Sequence, residues 1–257
     1  MPAPASLILF VSDWGVPVSA QKPFLTDLVS AYPLKMISAP QPQSLTQTYA
    51  TLGTIYDTHN QALTTLQSVL NDSGIKQCRI ADGDRFGLLT QTFDGPFEPS
   101  TARREDVLIP FPPGNSLVES YDTTLTLTKK RILSQLGVGN EQVIFASLPA
   151  IWTATMYRDA AFLDAMIKQT SQTITQIVDT AIDYGFHVLI VGDTQELMPC
   201  LLVHPDHEGV RVSGHDMSDG RDLPRTASGH ARQFGSTVAA LLHIPLPSHA
   251  QPSLFKL

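Results

Sequence analysis

The sequence predicts a single α/β domain, with a central, mostly parallel sheet flanked by helices on both faces. Three observations carry the α/β prediction. Short β-branched runs alternate with long helical periodicities, and turn residues such as Gly185 and the proline-punctuated 39–44 segment separate them. At 257 residues and 42% hydrophobic side chains, the chain can bury one large core, or two small ones, without disulfide staples. No internal repeat and no tract long enough to be an inter-domain linker is visible, so residues 1–257 are read as one domain.

In chain order, the buried strands are expected at Leu7 to Val11, Leu34 to Ile37, Gln77 to Ala81, Leu88 to Phe93, Val107 to Ile109, Val143 to Ala146, Val188 to Val191 and Cys200 to Val203. Helices are expected at Lys22 to Ala31, Ser44 to Leu70, Tyr121 to Leu136, Asp159 to Tyr184 and Arg232 to Leu242. Ser44 follows Ala39-Pro-Gln-Pro-Gln and reads as the cap of the helix it opens. The helix from Asp159 carries Phe162, Met166, Ile174, Ile177, Val178 and Ile182 at mostly three- and four-residue spacings, so one face is core, and Gly185 is its stop signal.

Only 16% of residues are charged and the net charge is −7, which argues against nucleic acid, since phosphate backbones are held by clustered Lys and Arg. Lys129, Lys130 and Arg131 form the single basic run. The two cysteines, Cys78 and Cys200, lie on separate apolar segments with no paired spacing, as expected of buried thiols in a reducing compartment. The apolar stretch Ser6 to Val11 has no basic leader and is far too short to span a bilayer, so no membrane role is expected and the chain is read as cytoplasmic.

Several stretches carry a resemblance. Leu9-Phe-Val-Ser-Asp13-Trp-Gly15 closes the first strand; Ser73 to Asp82 is followed by Arg85, by Thr92-Phe-Asp-Gly95 and by Asp106 to Pro110; Val188-Leu-Ile-Val-Gly-Asp193 ends a late strand; Phe234 to Pro247 closes the chain. In this order they resemble the phosphatase domain of cofactor-independent phosphoglycerate mutase, in the alkaline phosphatase superfamily, across nearly the whole chain. The resemblance implies a site with two divalent metals, usually manganese, and a serine nucleophile. It also implies an inserted second domain, for which there is no room here, because Ile37 leads through Ala39 to Ser44 directly into a helix. The glycine-rich loop with the nucleophilic serine is missing as well.

Carried over residue by residue, the resemblance leaves two metal-ligand positions intact, Asp13 and Asp193. Three are lost. Thr194 stands where the family has a histidine, and Ala150 and Ala154, within Leu148 to Ala154, stand where it has an Asp and a His. A methyl group cannot coordinate a metal. Asp13 and Asp193 are therefore expected more as loop or helix caps at the carboxyl edge of the sheet than as ligands. Arg85 occupies the position of a substrate-facing lysine and is read either as a bidentate anion contact or as a solvated surface arginine.

His204, His207 and His215, with Asp206, Glu208, Asp216, Asp219 and His230, form a second group that could build a replacement metal site, although an exposed hairpin around Gly209 and Gly214 is the simpler account. Dinucleotide, Walker and Gly-x-Ser-x-Gly signatures are absent. The expectation is a degenerate, non-catalytic domain that binds a protein or a small anion and needs no cofactor. The alternatives are a metal-dependent phosphohydrolase with a rebuilt site holding manganese or another divalent ion, and a subunit of a larger assembly that exposes Trp152 and Phe255.

Overall fold

The computed structural model describes residues 5–11, 14, 25–39, 44–94, 103–110, 117–149, 160–192, 197–204 and 227–257. Strand β1 (Ala5–Val11) sends Leu7, Leu9 and Val11 to one face and Ile8 and Phe10 to the other, all essentially inaccessible to solvent. A strand apolar on both faces belongs in the interior of a covered sheet. There it lies, between β7 (Val143–Leu148) and β8 (Phe186–Gly192), parallel to both.

Among the described residues, eight strands form this sheet. They include β2 (Leu34–Ser38), β5 (Gln77–Asp82), β6 (Arg104–Ile109), β9 (Leu197–Val203) and the short β10 (Gly229–His230), in the order β10-β2-β9-β8-β1-β7-β5-β6. β9 runs antiparallel to both its neighbours and every other pairing is parallel. The carboxyl ends of β1, β2, β5, β6, β7 and β8 therefore share one edge.

Helix α1 (Thr26–Ala31), the long α5 (Leu117–Val138) and α6 (Ala160–Asp183) cover the face of Leu7 and Leu9. The face of Ile8 and Phe10 is covered by α2 (Leu45–Leu52), α3 (Leu66–Asp72), α4 (Gly83–Thr90) and α7 (Phe234–Leu241). The α6 helix stops where expected, with Gly185 in the left-handed region at φ 78°. Cys78 and Cys200 are both buried free thiols.

Three expectations are corrected. The helix expected over Ser44 to Leu70 is interrupted by a hairpin, β3 (Thr54–Tyr56) paired with β4 (Ala62–Thr65). Ser44 caps α2 in a capping box with Gln47, but Gly53 ends it, and a Cβ at Gly53 would sit 1.7 Å from the carbonyl oxygen of Phe93. The Asp57 carboxylate accepts the backbone N–H of His59 and of Gln61, fixing a turn that helical periodicity does not reveal.

The strand expected at Leu88 to Phe93 is the end of α4 and a 3₁₀ turn over Thr92–Asp94. Its apolar residues face the core from a helix, and β5 takes β6 as its outer neighbour. Phe255, expected to be exposed, is 7% exposed and packs into the second core; Trp152 lies outside the described residues. No helix among the described residues is long and apolar enough to cross a membrane.

Candidate functional site

In an open α/β sheet the crevice beyond the carboxyl ends of the strands is where ligands bind. Here Val11, the last residue of β1, is level with Leu148 of β7 and with Gly192 of β8. In the sequence, Asp13, Ala150 and Asp193 follow those residues by two, two and one positions. Asp13, Ala150, Ala154, Asp193 and Thr194 themselves lie outside the described residues, as do His207 and His215.

Close packing at this edge is visible at Gly192. A Cβ there would lie 2.6 Å from the carbonyl oxygen of Trp14 and 2.9 Å from Cδ of Pro199, so the chain leaving β1 passes directly over the end of β8. The Trp14 side chain is buried in the first core.

Asp82 ends β5 at the same edge. Its Oδ1 accepts the backbone N–H of Arg85 at 3.1 Å, which makes it the cap of α4. Burial raises the Asp82 carboxyl above its usual range, against the lowering effect of the hydrogen bond from the Arg85 N–H. The sequence does carry a signal for this residue, namely an Asp directly ahead of the helical run Gly83–Thr90. Arg85 is only 3% exposed, so the reading of it as a solvated surface side chain fails. The Ser147 hydroxyl, near the end of β7, is buried without a hydrogen-bond partner among the described residues.

His204 is elsewhere. The antiparallel register of β8 and β9 pairs Val188 with Val203 and Val191 with Cys200, which sets His204 against His187 at the start of β8. At ~3.3 Å per residue this is roughly 17 Å from the Gly192 end. The structure thus does not bring His204 to the edge that precedes Asp193. Among the described residues no group of three or more His, Cys, Asp or Glu side chains is placed to hold a metal ion.

No family model matches the chain. The phosphoglycerate mutase of Leishmania mexicana superposes with a TM-score of 0.59 at 12% identity, covering 76% of this chain and 39% of that one. A protein of the alkaline phosphatase superfamily from Vibrio parahaemolyticus gives 0.55 at 10% identity, over 95% of this chain and 67% of that one. The fold is alkaline-phosphatase-like. By sequence, the 2,3-bisphosphoglycerate-independent phosphoglycerate mutase of Cyanothece sp. is 22% identical over 205 residues, which is 71% of this chain and 37% of the relative. The chain is a weak homologue of cofactor-independent phosphoglycerate mutase and spans little more than a third of the length of the curated relatives it matches.

Proposed function

We propose that this chain is a catalytically degenerate relative of cofactor-independent phosphoglycerate mutase, a pseudoenzyme that uses the fold as a binding scaffold for a protein or a small anion. The observation that carries this is the donor set at one edge. Strands β1, β7 and β8 end level with one another, and in the sequence the residues that follow these ends include Ala150, Ala154 and Thr194, at positions where the resemblance has metal ligands. Aliphatic side chains and one neutral hydroxyl do not fit a two-metal centre, which needs carboxylates and imidazoles around each ion. Asp82, the described carboxylate at this edge, is engaged as a helix cap.

Arg85, buried in the first turn of α4, supplies the cation for an anionic ligand. The net charge of −7 disfavours nucleic acid as the partner. The rebuilt phosphohydrolase is the weaker reading, because His204 sits at the other edge.

The test is a manganese titration of the purified chain followed by thermal melting and by release of phosphate from a generic phosphomonoester. An ion bound only by the folded state must raise the melting temperature. The reading expects no rise and no turnover. A manganese-dependent rise that disappears in Asp193→Asn, with turnover that disappears too, overturns it.

A further inference from the structure

Residues directly opposite each other in an antiparallel pair share a face of the sheet, with Cβ atoms about 4.5–5.5 Å apart. Extended by one step, the register Val188 to Val203 makes His187 and His204 such a pair. Their ring centroids are 4.0 Å apart and the ring planes meet at 78°. Both side chains are half-buried, at the rim where β8 begins, and Leu189 and Leu202, two residues further in on the same face, are wholly within the second core. His187 is also level with Ser6 of β1, whose buried hydroxyl has no hydrogen-bond partner among the described residues.

We propose that His187 and His204 form a two-imidazole binding site for a divalent transition ion of the zinc, nickel or copper type, at the amino edge of the sheet. Imidazole nitrogen suits these ions, whereas magnesium and manganese prefer oxygen donors. Two imidazoles on a tetrahedral ion, each with a metal–nitrogen distance of about 2.0–2.1 Å, set their ring centroids roughly 5 Å apart. The pair reaches that spacing by rotating the rings about their side-chain bonds, with no change in strand register. Water completes the coordination on the solvent side, as in other sites with open positions. His187 lies on β8 and His204 directly follows β9, each next to the ladder that pairs Val188–Val191 with Cys200–Val203, so little backbone freedom is lost when an ion joins them. This site is independent of the degenerate carboxyl edge, and one can fail without the other.

The experiment is isothermal titration of the tag-free full chain with zinc chloride and with nickel chloride, with magnesium chloride as the control. One equivalent of zinc or nickel is expected to bind saturably, with no binding of magnesium. His187→Gln and His204→Gln are each expected to abolish the saturable binding. Should a variant fail to fold, the wild type decides through imidazole ¹⁵N resonances. Zinc must shift the two histidines linked by a ring-to-ring nuclear Overhauser effect. The proposal is overturned if the wild type binds neither zinc nor nickel, if that pair of resonances does not move, or if binding survives both substitutions and is lost instead in His207→Ala or His215→Ala.

Discussion

Arg79 sits in the middle of β5 with no solvent exposure and places its Nη1 2.6 Å from a carboxylate oxygen of Asp94, in the turn that follows α4. The same guanidinium donates to the Leu89 carbonyl at 2.7 Å and to the Gln67 side chain, and it lies 5.3 Å from the centroid of the Phe93 ring. Asp94 also receives Arg104, which reaches Asp106 at 2.7 Å. Burial lowers the Arg79 pKa to about 10, with the Asp94 charge opposing the fall. For Arg104, burial works in the same downward sense, but Asp106 and Asp94 outweigh it and raise its pKa. The network ties α3, α4 and β6 to β5, at the interior of the sheet and not at its carboxyl edge.

Breaking a buried ion pair by removing one partner costs about 3–5 kcal/mol, with Arg104 still matching the Asp94 charge when Arg79 is the partner removed. Arg79→Met should therefore lose about that much stability in urea unfolding. The double variant Arg79→Met/Asp94→Leu should lose less than the sum of the single losses, because the two single substitutions remove the same buried contact. Strict additivity would show that the two side chains are not coupled.

Gly192 has no room for a methyl group beside the Trp14 carbonyl and Pro199. Overpacking of this kind costs about 1–3 kcal/mol. Gly192→Ala should lower the urea midpoint accordingly, whereas Gly139→Ala, which meets nothing within 4 Å but has φ 66°, tests backbone strain alone.

Asp82 is buried and its folded-state pKa is raised above the ordinary 3.8. The folded chain then binds this proton more tightly than the unfolded chain, so its ionisation works against stability at neutral pH, and the penalty fades as pH falls through the folded value towards 3.8. Asparagine keeps the capping oxygen without the charge. Asp82→Asn should be at least as stable as the parent at pH 7, with the difference shrinking on acidification. A large loss at pH 7, read from paired melting curves, would mean that the carboxylate charge is matched by a cation in the folded state.

Both thiols are buried, and burial pushes Cys78 up to about 12, helped by the charges of Glu105 and Glu141 and opposed by Arg131 and Gln135. Burial raises Cys200 as well. Thiolate is the reactive form, so neither should react with a disulfide reagent at pH 8 in the native protein, and both should react in guanidinium. Fast labelling of the native chain would show that β5 or β9 opens readily.

Seven of the eight expected strands are present, because β-branched runs such as Leu7 to Val11 and Val188 to Val191 are apolar on both faces and have nowhere to go but the sheet interior. The hairpin between α2 and α3 escaped because Thr54 to Tyr56 and Ala62 to Thr65 are short, and the turn at Asp57 is set by side-chain hydrogen bonds to its own backbone. Leu88 to Phe93 is as apolar as a strand, and only the Asp82 cap and the pairing of β5 with β6 make it a helix and a turn.

What the chain's residues determine without coordinates is chemical identity: Asp13, Asp193, Ala150, Ala154 and Thr194 are donors or non-donors whatever the fold, and the resemblance to the mutase family rests on motif order. Position was decided in three dimensions. The Arg79 to Asp94 contact spans 15 residues, and the His187 to His204 contact spans 17 and depends on which way β9 runs. Local periodicity records the face a side chain takes, but not which strand lies next to it or in which direction, because that choice is made by packing the two cores together.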